Sequence, residues 1–286
     1  MQAASSHHAW PRVVADYERA LSVEGRKQLG LFAIEGHRLV ERALATGSPL
    51  AHTLVGESDL KAPAPRLQNL LLQLDARNYP VTIVPDEVLN KLTEGRTFGS
   101  ILALAEIPAP PDLNALLADW REQPQRKKLL VLESMMDPGN VGALLRTAHA
   151  LGVDALVALN GTDPFHPRSA RTSMGSIFRV PVVRLDSTEK LLRVLRANNV
   201  LTIGAATEAA VLLPNAVFER KDTALFVGNE GKGLSVQLRG QLDQLVAIPM
   251  GAAIDSFSVN AATAVILYTI THSASQWQNS PLEPQN

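Results

Sequence analysis

Two kinds of hydrophobic pattern alternate over the first hundred residues. Short, mostly apolar runs are typical of β-strands, and stretches whose apolar residues repeat every three or four positions are typical of one face of a helix. The runs predict four strands, LFAIEG, AHTLVGE, PVTIVP and SILALAE. The stretches between them predict three helices, HRLVERALAT, RLQNLLLQLDARN and DEVLNKLTE. This part of the chain is therefore expected to form a small α/β sandwich.

The same alternation returns in the second half of the chain. Six apolar runs predict strands: KLLVLES, VDALVAL, VPVVRL, VLTIGAA, TALFVGN and LVAIPM. These runs are continuously apolar, as in parallel strands that are buried on both faces, and helical segments lie between most of them. The predicted fold class is α/β, with a C-terminal parallel-sheet domain behind the smaller N-terminal sandwich.

A proline-rich stretch, EIPAPPDLNALLADWREQPQRKK, separates the two halves. Prolines near its front favour an extended, stiff connection, and a short helix and a polar stretch follow. We therefore place a first domain at 12–105, a linker at 106–124 and a second domain at 125–272.

Composition narrows the class of protein. The chain has 286 residues, of which 46% are hydrophobic and 19% charged, so it can bury a core. It has no cysteine, which excludes disulfides and thiolate metal sites and agrees with a reducing cytoplasm, the expected location. No apolar run is long enough to span a bilayer, so no membrane partner is expected. The net charge is −1, so any nucleic-acid binding must depend on a local basic patch.

Glycine-rich turns after apolar strands raise the question of nucleotide binding. A dinucleotide fingerprint requires G-x-G-x-x-G, and the spacing of Gly139, Gly142 and Gly152 does not match it. A phosphate-binding loop requires G-x-x-x-x-G-K-S/T. In the stretch FVGNEGKGLS, Phe226 occupies the position of the first glycine and Gly233 that of the hydroxyl residue. Both readings are disfavoured, including that of a nicotinamide-dependent oxidoreductase.

Three such turns, DPGNVGALLRTA, LFVGNEGKGLS and AIPMGAAIDSFSV, each follow a strand and open a helix. Ligands of open α/β sheets bind at the carboxyl ends of strands, so the three turns are expected to converge there. The last two carry few charges apart from Glu230, Lys232 and Asp255. That composition favours a flat, neutral, hydrogen-bonding ligand such as an adenosine over a polyphosphate.

The three turns resemble the signature motifs of the SpoU (TrmH) family of RNA ribose 2′-O-methyltransferases. The matching residues, in chain order, are Asn140, Gly142 and Arg146, then Gly228, Glu230 and Gly233, then Ile248, Pro249, Met250, Ser256 and Val259. The resemblance covers 125–272 strongly. Over 12–105 the chain more weakly resembles the substrate-binding domain of the ribosomal-RNA branch, mainly through LFAIEGHRLVERAL.

One departure from the family pattern falls in the third motif. The family usually has Ser-Leu-Asn-Val-Ser, and this chain has Ser-Phe-Ser-Val-Asn over 256–260. Ser258 thus stands where the asparagine is expected, and Asn260 follows two places later. Either Asn260 substitutes for the missing asparagine, or the hydrogen bond of that asparagine is absent or weaker.

The resemblance implies a fold, a cofactor and a reaction. The fold is that of the SPOUT superfamily, with a deep trefoil knot, and the family works as a homodimer. The cofactor is S-adenosylmethionine, and no metal is required. The substrate is a structured RNA, most readily 23S ribosomal RNA, whether for housekeeping or antibiotic resistance. The alternatives kept open are a tRNA 2′-O-methyltransferase and a knotted RNA-binding protein that has lost methyl transfer.

The resemblance also implies site residues. Arg146 is expected to activate the ribose hydroxyl with help from an RNA phosphate, and Asn140, Glu230 and Ser256 complete the catalytic set. The residues expected to hold the cofactor are Gly228, Asn229, Ile248, Met250, Ser256 and Phe257. The basic stretch RSARTSMGSIFR would contact RNA through Arg168, Arg171 and Arg179.

Each of these residues also has a structural interpretation. Arg146 alone is typical of a solvated or ion-paired helix residue, and Asn140 alone would be a helix N-cap. Glu230 alone could be an acid favoured by a helix dipole, and the stretch 168–179 could be a solvated loop. His149 and His166 are expected to be structural. The functional interpretation depends on the motifs occurring together and in order.

Overall fold

The structure is a computed structural model that describes residues 10–95, 101–123, 125–218, 222–251 and 256–272. Its contacts divide the chain into two compact units. Unit 1 consists of Met1–Ala109 together with Asp163–Arg179, and unit 2 of Pro110–Thr162 together with Val180–Asn286. The segment 163–179 therefore groups with the N-terminal residues, although it lies inside the range 125–272 that was expected to be one domain.

Unit 1 contains a four-stranded sheet and seven helices within the described residues. Its strands are β1 (Leu31–Glu35), β2 (Leu50–Gly56), β3 (Val81–Val84) and β4 (Ile101–Glu106). Its helices are α1 (Trp10–Ala20), α2 (Val23–Leu29), α3 (His37–Thr46), α4 (Glu57–Lys61), α5 (Pro65–Asp75), α6 (Asp86–Leu92) and, from the inserted segment, α9 (Pro167–Thr172). A 3₁₀ turn, Ser176–Phe178, follows α9.

The strand order is β1-β4-β2-β3, with β4 antiparallel to both neighbours and β2 parallel to β3. All four predicted strands and three predicted helices are present, so the expected small α/β domain is confirmed. The structure adds α1, α2 and α4, for which the pattern gave no prediction.

The two faces of this sheet pack against different elements. Adjacent residues of a strand point to opposite faces. Ala33 belongs to a core cluster with Tyr17 and Val13 of α1. Phe32, on the other face, meets Phe165 and Phe178 of the inserted segment, with ring centroids 5.2 Å and 5.8 Å apart. The inserted segment is thus part of the hydrophobic core of unit 1.

Unit 2 is built on a parallel sheet of seven strands. They are β5 (Lys128–Glu133), β6 (Ala155–Leu159), β7 (Val182–Leu185), β8 (Leu201–Ala205), β9 (Val211–Leu212), β10 (Thr223–Val227) and β11 (Gln244–Ala247). The helices are α7 (Leu113–Arg121), α8 (Pro138–Ala150), α10 (Thr188–Ala197), α11 (Val236–Arg239) and α12 (Val259–His272). The prediction of a parallel sheet from six continuous apolar runs is confirmed, and β9 is the addition.

The strand order β7-β6-β5-β10-β8-β11-β9 creates a switch point. From β5 the chain proceeds outward through β6 to β7, and it later inserts β10 on the other side of β5. The loops that leave β5 and β10 therefore run to opposite sides, which opens a crevice at their carboxyl ends. After β11 the chain returns, and α12 packs on α8. The trefoil knot stays a prediction, because the path after β11 includes 252–255, outside the described residues.

Candidate active site

The loop after β10 closes on itself at Gly228. A Cβ atom on Gly228 would overlap the backbone of Gly233 and Leu234, so no other residue fits without a shift of the loop. The closure is completed by a hydrogen bond from the Gly233 amide to the Asn229 carbonyl, 2.8 Å long. The resemblance assigns Gly228 to the cofactor site, where a small residue would also leave room for a ligand. The more direct reason for glycine in the structure is the close approach of the loop's own backbone.

Asn229 holds the shape of this loop and ties it to β5. Its Oδ1 accepts hydrogen bonds from the amides of Gly231 and Lys232, at 3.0 and 3.1 Å. Its Nδ2 donates to the carbonyl of Ser134, just past β5, at 3.1 Å. Asn229, which is expected to line the cofactor pocket, therefore also joins the loop after β10 to the loop after β5.

Glu230 makes the second connection between these loops. Its carboxylate accepts hydrogen bonds from the Asp137 amide at 3.0 Å, the Met136 amide at 3.3 Å and the Asn140 Nδ2 at 3.1 Å. Burial alone would raise the pKa of Glu230, but the bonds from Asn140 and the backbone amides lower it overall. The group therefore stays ionised at neutral pH, at the positive end of the α8 dipole.

The start of α8 is organised by Asp137. Its carboxylate accepts from the Asn140 amide at 3.0 Å, and Pro138 occupies the first turn, as is usual at a helix N-terminus. The N-cap is thus Asp137, and the interpretation of Asn140 as the cap is wrong. The Asn140 side chain is left to bind Glu230, and its place in the catalytic set stays a prediction.

A third connection was not anticipated from the sequence. Glu133, the buried last residue of β5, accepts hydrogen bonds from the Ser235 amide at 2.8 Å and its hydroxyl at 2.6 Å. Ser235 also caps α11. The only sequence signal was a carboxylate at the end of an otherwise apolar strand. With the bonds of Asn229 and Glu230, this pair fixes the loop 228–235 against the end of β5.

A cavity of about 310 Å³ opens beside these loops, within the size range of small-molecule sites. All six residues expected to hold the cofactor line it: Gly228, Asn229, Ile248, Met250, Ser256 and Phe257. Glu230 lines it as well, which leaves Asn140 one hydrogen bond away from its wall. The walls are apolar at Val227, Val259 and Ile266 and polar along the loop, as a flat base with a polar ribose would require.

Two charged residues in the cavity wall were missed by the sequence analysis. Arg239 and Glu208 form an ion pair at 2.6 Å, and the side chain of Glu208 is 72% exposed. The Nε of Arg239 donates to the Leu234 carbonyl at 3.0 Å, which anchors the guanidinium beside the loop. Neither residue belongs to a motif, and only folding brings the turn after β8 next to α11.

Arg146 lies on α8 outside the cavity wall. Its side chain is exposed, and within the described residues it makes no hydrogen bond or ion pair. The next residue, Thr147, donates a hydrogen bond to Oδ1 of Asn260 on α12, at 2.8 Å. Ser258 instead accepts from the Ala261 amide at 3.3 Å, at the start of α12. Asn260 therefore has a defined contact beside the expected catalytic arginine, whereas Ser258 acts as a helix cap.

The three arginines expected to contact RNA lie in unit 1 and differ in their surroundings. Arg171 donates to Glu35 at 3.0 Å, and the Glu35 side chain is almost fully buried. Arg168 and Arg179 are exposed. Arg171 is therefore engaged by a carboxylate, and the other two present more of their surface to a ligand.

His166 has the structural role that was expected. Its Nδ1 accepts a hydrogen bond from the Arg168 amide at the start of α9, at 3.1 Å. Burial and the charge of Arg26 lower the pKa of the imidazole, which keeps this nitrogen available as an acceptor.

The described residues contain neither a candidate metal-ion site nor a candidate membrane-spanning helix. No group of three or more histidines and carboxylates within them could hold a metal ion. Among the helices they form, none is long and apolar enough to cross a membrane.

Comparison with known proteins gives concordant matches for both parts of the chain. Residues 127–268 match the model of the SpoU rRNA Methylase family, and residues 33–111 match that of the RNA 2′-O ribose methyltransferase substrate binding domain. An uncharacterized tRNA/rRNA methyltransferase of Synechocystis is 32% identical over 86% of this chain and 85% of its own length. The 23S rRNA (guanosine-2′-O-)-methyltransferase RlmB of Yersinia pestis is 32% identical, over 72% of this chain and 83% of its own. The crystal structure of an AdoMet-bound rRNA methyltransferase from Sinorhizobium meliloti matches with a TM-score of 0.77 at 26% identity, covering 90% of this chain and 93% of that one.

Proposed function

The chain belongs to the SpoU rRNA methylase family, and from this premise we propose that it transfers a methyl group from S-adenosylmethionine to a ribose 2′-hydroxyl of 23S ribosomal RNA. One observation carries the proposal. The cavity at the switch point is lined by all six expected cofactor residues and adjoins the Glu230–Asn140 junction. The residues expected to hold the cofactor, together with Glu230 and Asn140 of the expected catalytic set, thus lie in or next to the wall of one cavity.

The residues around the cavity fit S-adenosylmethionine. The backbone of the loop 228–233 and the polar side chains on it offer hydrogen-bond partners for a base and a ribose. Gly251 leaves open space beside the third motif, since no atom lies within 4 Å of where its Cβ would be. Apolar residues such as Ile248 and Val259 would cover the faces of the adenine. The cavity holds both acidic and basic groups, which suits a zwitterionic ligand better than a polyphosphate.

The reaction asks the protein to orient a weak nucleophile and to remove its proton. When bound, S-adenosylmethionine supplies the methyl group on a positively charged sulfur. An arginine stays protonated at neutral pH, so Arg146 is assigned to binding an RNA phosphate and to stabilising the developing alkoxide. The phosphate then takes the proton of the 2′-hydroxyl. Alignment of the hydroxyl with the methyl group supplies much of the remaining rate enhancement.

Asn140 and Glu230 support this arrangement indirectly. They contact each other at 3.1 Å, and neither makes a hydrogen bond to Arg146 within the described residues. We assign them to holding the start of α8 against the loop 228–233, which sets the direction in which α8 presents Arg146. Ser256, exposed at the cavity wall, is assigned to the ribose end of the site.

Ribosomal RNA is favoured over tRNA by the N-terminal unit and by the relatives. Residues 33–111 match a substrate-binding domain, and RlmB of Yersinia pestis is a 23S rRNA enzyme. Residues 12–105 are assigned to RNA selection, and Arg168, Arg171 and Arg179 to the RNA surface. A ribosomal substrate also places the working protein in the cytoplasm.

We propose that the chain forms a homodimer and that the second copy packs on the exposed face of α12. Val265 and Tyr268 are 41% and 49% exposed, and Tyr268 stacks on His272 at 4.1 Å. These positions recur on one side of the helix, so they form an apolar stripe that a homodimer would cover. Light scattering should therefore give about twice the mass of 30.8 kDa, and a monomeric mass at micromolar concentration would contradict the dimer.

The proposed reaction is tested with the purified chain, S-adenosylmethionine labelled in its methyl group, and deproteinised 23S rRNA. The label is expected in a single 2′-O-methylated nucleotide. Incorporation into tRNA and not into rRNA would transfer the assignment to the tRNA alternative. Failure to bind the cofactor in a titration would favour the non-catalytic alternative.

Substitution of Arg146 separates chemistry from binding. Arg146→Ala should lower turnover by about a hundredfold or more, as the loss of a group that stabilises developing charge does. Its affinity for S-adenosylmethionine should stay within twofold of the original, because Arg146 does not line the cavity. Arg193→Ala on α10, another exposed arginine of unit 2, is the matched control. Near-normal turnover of Arg146→Ala would disprove the assignment.

A further inference from the structure

Arginines from two chain segments come together on the surface of unit 1. Arg38 and Arg42 are four residues apart on α3, so they lie on the same side of that helix, and both are exposed. Arg179, also exposed, follows the 3₁₀ turn 176–178 of the inserted segment, and this turn packs against α3. We call these three residues the α3 stripe.

The contact between the two segments is close and specific. Gly175, just before the 3₁₀ turn, has a φ of +94°, which favours glycine. A Cβ atom on Gly175 would lie 2.6 Å from Cγ of Arg42 and 2.8 Å from its Cβ. The aliphatic part of Arg42 therefore covers the backbone just before the 3₁₀ turn that Arg179 follows.

Carboxylates near the stripe are already engaged. Glu41, the acid on α3 closest in sequence, is held by Arg66 through two hydrogen bonds of 2.7 and 2.6 Å. Glu35 is held by Arg171, and the sequence has no acidic residue between 164 and 185. Within the described residues, neither Arg42 nor Arg179 has an ion-pair partner. The stripe thus presents positive charge in a chain whose net charge is −1.

The surroundings favour a phosphate backbone over a protein as the partner. Protein interfaces have an apolar centre, and none of the exposed large hydrophobic residues among the described positions lies on α3 or in 163–179. Guanidinium groups bind phosphate oxygens through paired hydrogen bonds. Neighbouring arginines on one helix side are about 6 Å apart, so they can contact successive phosphates of one strand.

We propose that the α3 stripe binds the sugar–phosphate backbone of the ribosomal RNA substrate. This inference rests on the proposed function and extends it to residues that the motifs do not include. Contacts to phosphates carry no sequence information, so the stripe contributes affinity for the RNA and does not choose the nucleotide.

The test compares the full-length double variant Arg38→Gln/Arg42→Gln with the unmodified chain. Dissociation constants for deproteinised 23S rRNA are measured over a range of salt concentrations. The variant should bind about tenfold more weakly, and the magnitude of its salt slope should fall by about 1 for each arginine removed. Its melting temperature, its affinity for S-adenosylmethionine and its turnover at saturating RNA should stay unchanged, because both side chains are on the surface.

Two further variants sharpen the comparison. Arg38→Lys/Arg42→Lys keeps both charges and should restore most of the salt slope. Arg12→Gln is the matched control, since Arg12 is an exposed arginine of α1. That helix packs on the Ala33 face of the sheet, opposite the Phe32 face that receives the inserted segment. The control should bind rRNA normally.

The outcomes separate the two levels of inference. If the unmodified chain methylates 23S rRNA and the double glutamine variant has the same dissociation constant and salt slope, the stripe proposal is overturned alone. If the unmodified chain neither binds nor methylates rRNA, the proposed function fails and the stripe proposal fails with it. Displacement of bound rRNA by an equal charge concentration of polyglutamate would indicate an acidic protein partner and would also overturn the proposal.

Discussion

At the scale of single residues, Glu230 connects more parts of the site than any motif position suggested. Its carboxylate accepts hydrogen bonds from two backbone amides just before α8 and from the side chain of Asn140. The backbone of Glu230 itself belongs to the loop after β10. The Nδ2 of Asn229 also donates to this carboxylate, at 3.3 Å. An acceptor-only group is needed here, because all of these partners are donors. This explains, without reference to a substrate, why an acidic residue occupies this turn.

The substitution Glu230→Gln tests this role. The amide would put a donor against donors, so the variant should lose about 1 kcal/mol of stability and should bind S-adenosylmethionine more weakly. Calorimetric melting and titration with the cofactor measure the two effects. Glu189→Gln, an exposed glutamate in the first turn of α10, is the control and should change neither. Unchanged melting and affinity in the Glu230→Gln variant would rule out the connecting role.

The same residue predicts a pH dependence. The folded-state pKa of Glu230 lies below its ordinary value of 4.5, so its ionised form stabilises the folded loops. That contribution is present above the unfolded-state pKa and is lost as the pH falls through the lower, folded-state pKa. Cofactor binding by the unmodified protein should therefore persist at pH 5. In the unmodified protein, cofactor binding should weaken as the pH falls below 4.5. This weakening should be absent from the Glu230→Gln variant, apart from what other carboxylates contribute.

At the scale of elements, the loop 228–233 depends on the close approach of its own backbone as well as on its side chains. The turn returns on itself so closely that position 228 has no room for a Cβ atom. β10 before it is buried along its whole length, so the strand cannot move aside to relieve a clash.

Gly228→Ala should therefore disturb the loop itself. We expect a loss of about 2 kcal/mol or more in stability, together with weaker binding of S-adenosylmethionine. Gly251→Ala is the matched control. Gly251 belongs to the third motif, as Gly228 does to the second, but it has open space around its Cβ position. Thermal melting and cofactor titration of both variants provide the measurement. Equal tolerance of both substitutions would contradict the close packing of the loop.

At the scale of the whole molecule, one segment of unit 1 is inserted in sequence between two parts of unit 2. Residues 163–179 lie between β6 and β7 in sequence, yet they complete the core of unit 1. Arg26, almost fully buried, forms an ion pair with Asp163 at 2.7 Å, which adds to the ring contacts of Phe32. Removal of one member of a buried pair leaves an uncompensated charge, so this segment is firmly tied to its partners.

The fragment 107–286 tests this dependence. We expect the fragment to bind S-adenosylmethionine and to lose most of its affinity for RNA, because the cavity lies in unit 2 and RNA selection is assigned to residues 12–105. In addition, loss of residues 1–106 would expose Phe165 and Ile177, each only 3% exposed in the whole chain. The fragment should therefore melt at a lower temperature and bind a hydrophobic dye. Full-length Phe32→Ala, which should cost about 3 kcal/mol, provides a milder version of the same change. Identical melting of fragment and full chain would contradict it.

The sequence by itself determined the elements and the motif residues. Continuous apolar runs identified the six strands of the parallel sheet other than β9, because burial on both faces leaves few polar positions. The motif resemblance identified all six residues expected to hold the cofactor, and each lines the cavity. These features were readable because they depend on local composition and on short spacings along the chain.

Tertiary structure alone decided which residues meet across long separations. The pairing of Glu133 with Ser235, of Thr147 with Asn260 and of Arg239 with Glu208 joins positions that no spacing relates. Likewise, the apolar and basic residues of 163–179 would suit either unit. Their place in unit 1 follows from the packing of Phe165 and Phe178 against Phe32 of the four-stranded sheet. The physical reason is that a polar or aromatic side chain specifies the kind of partner it needs, whereas the strand order and the return of the chain determine which partner lies within reach.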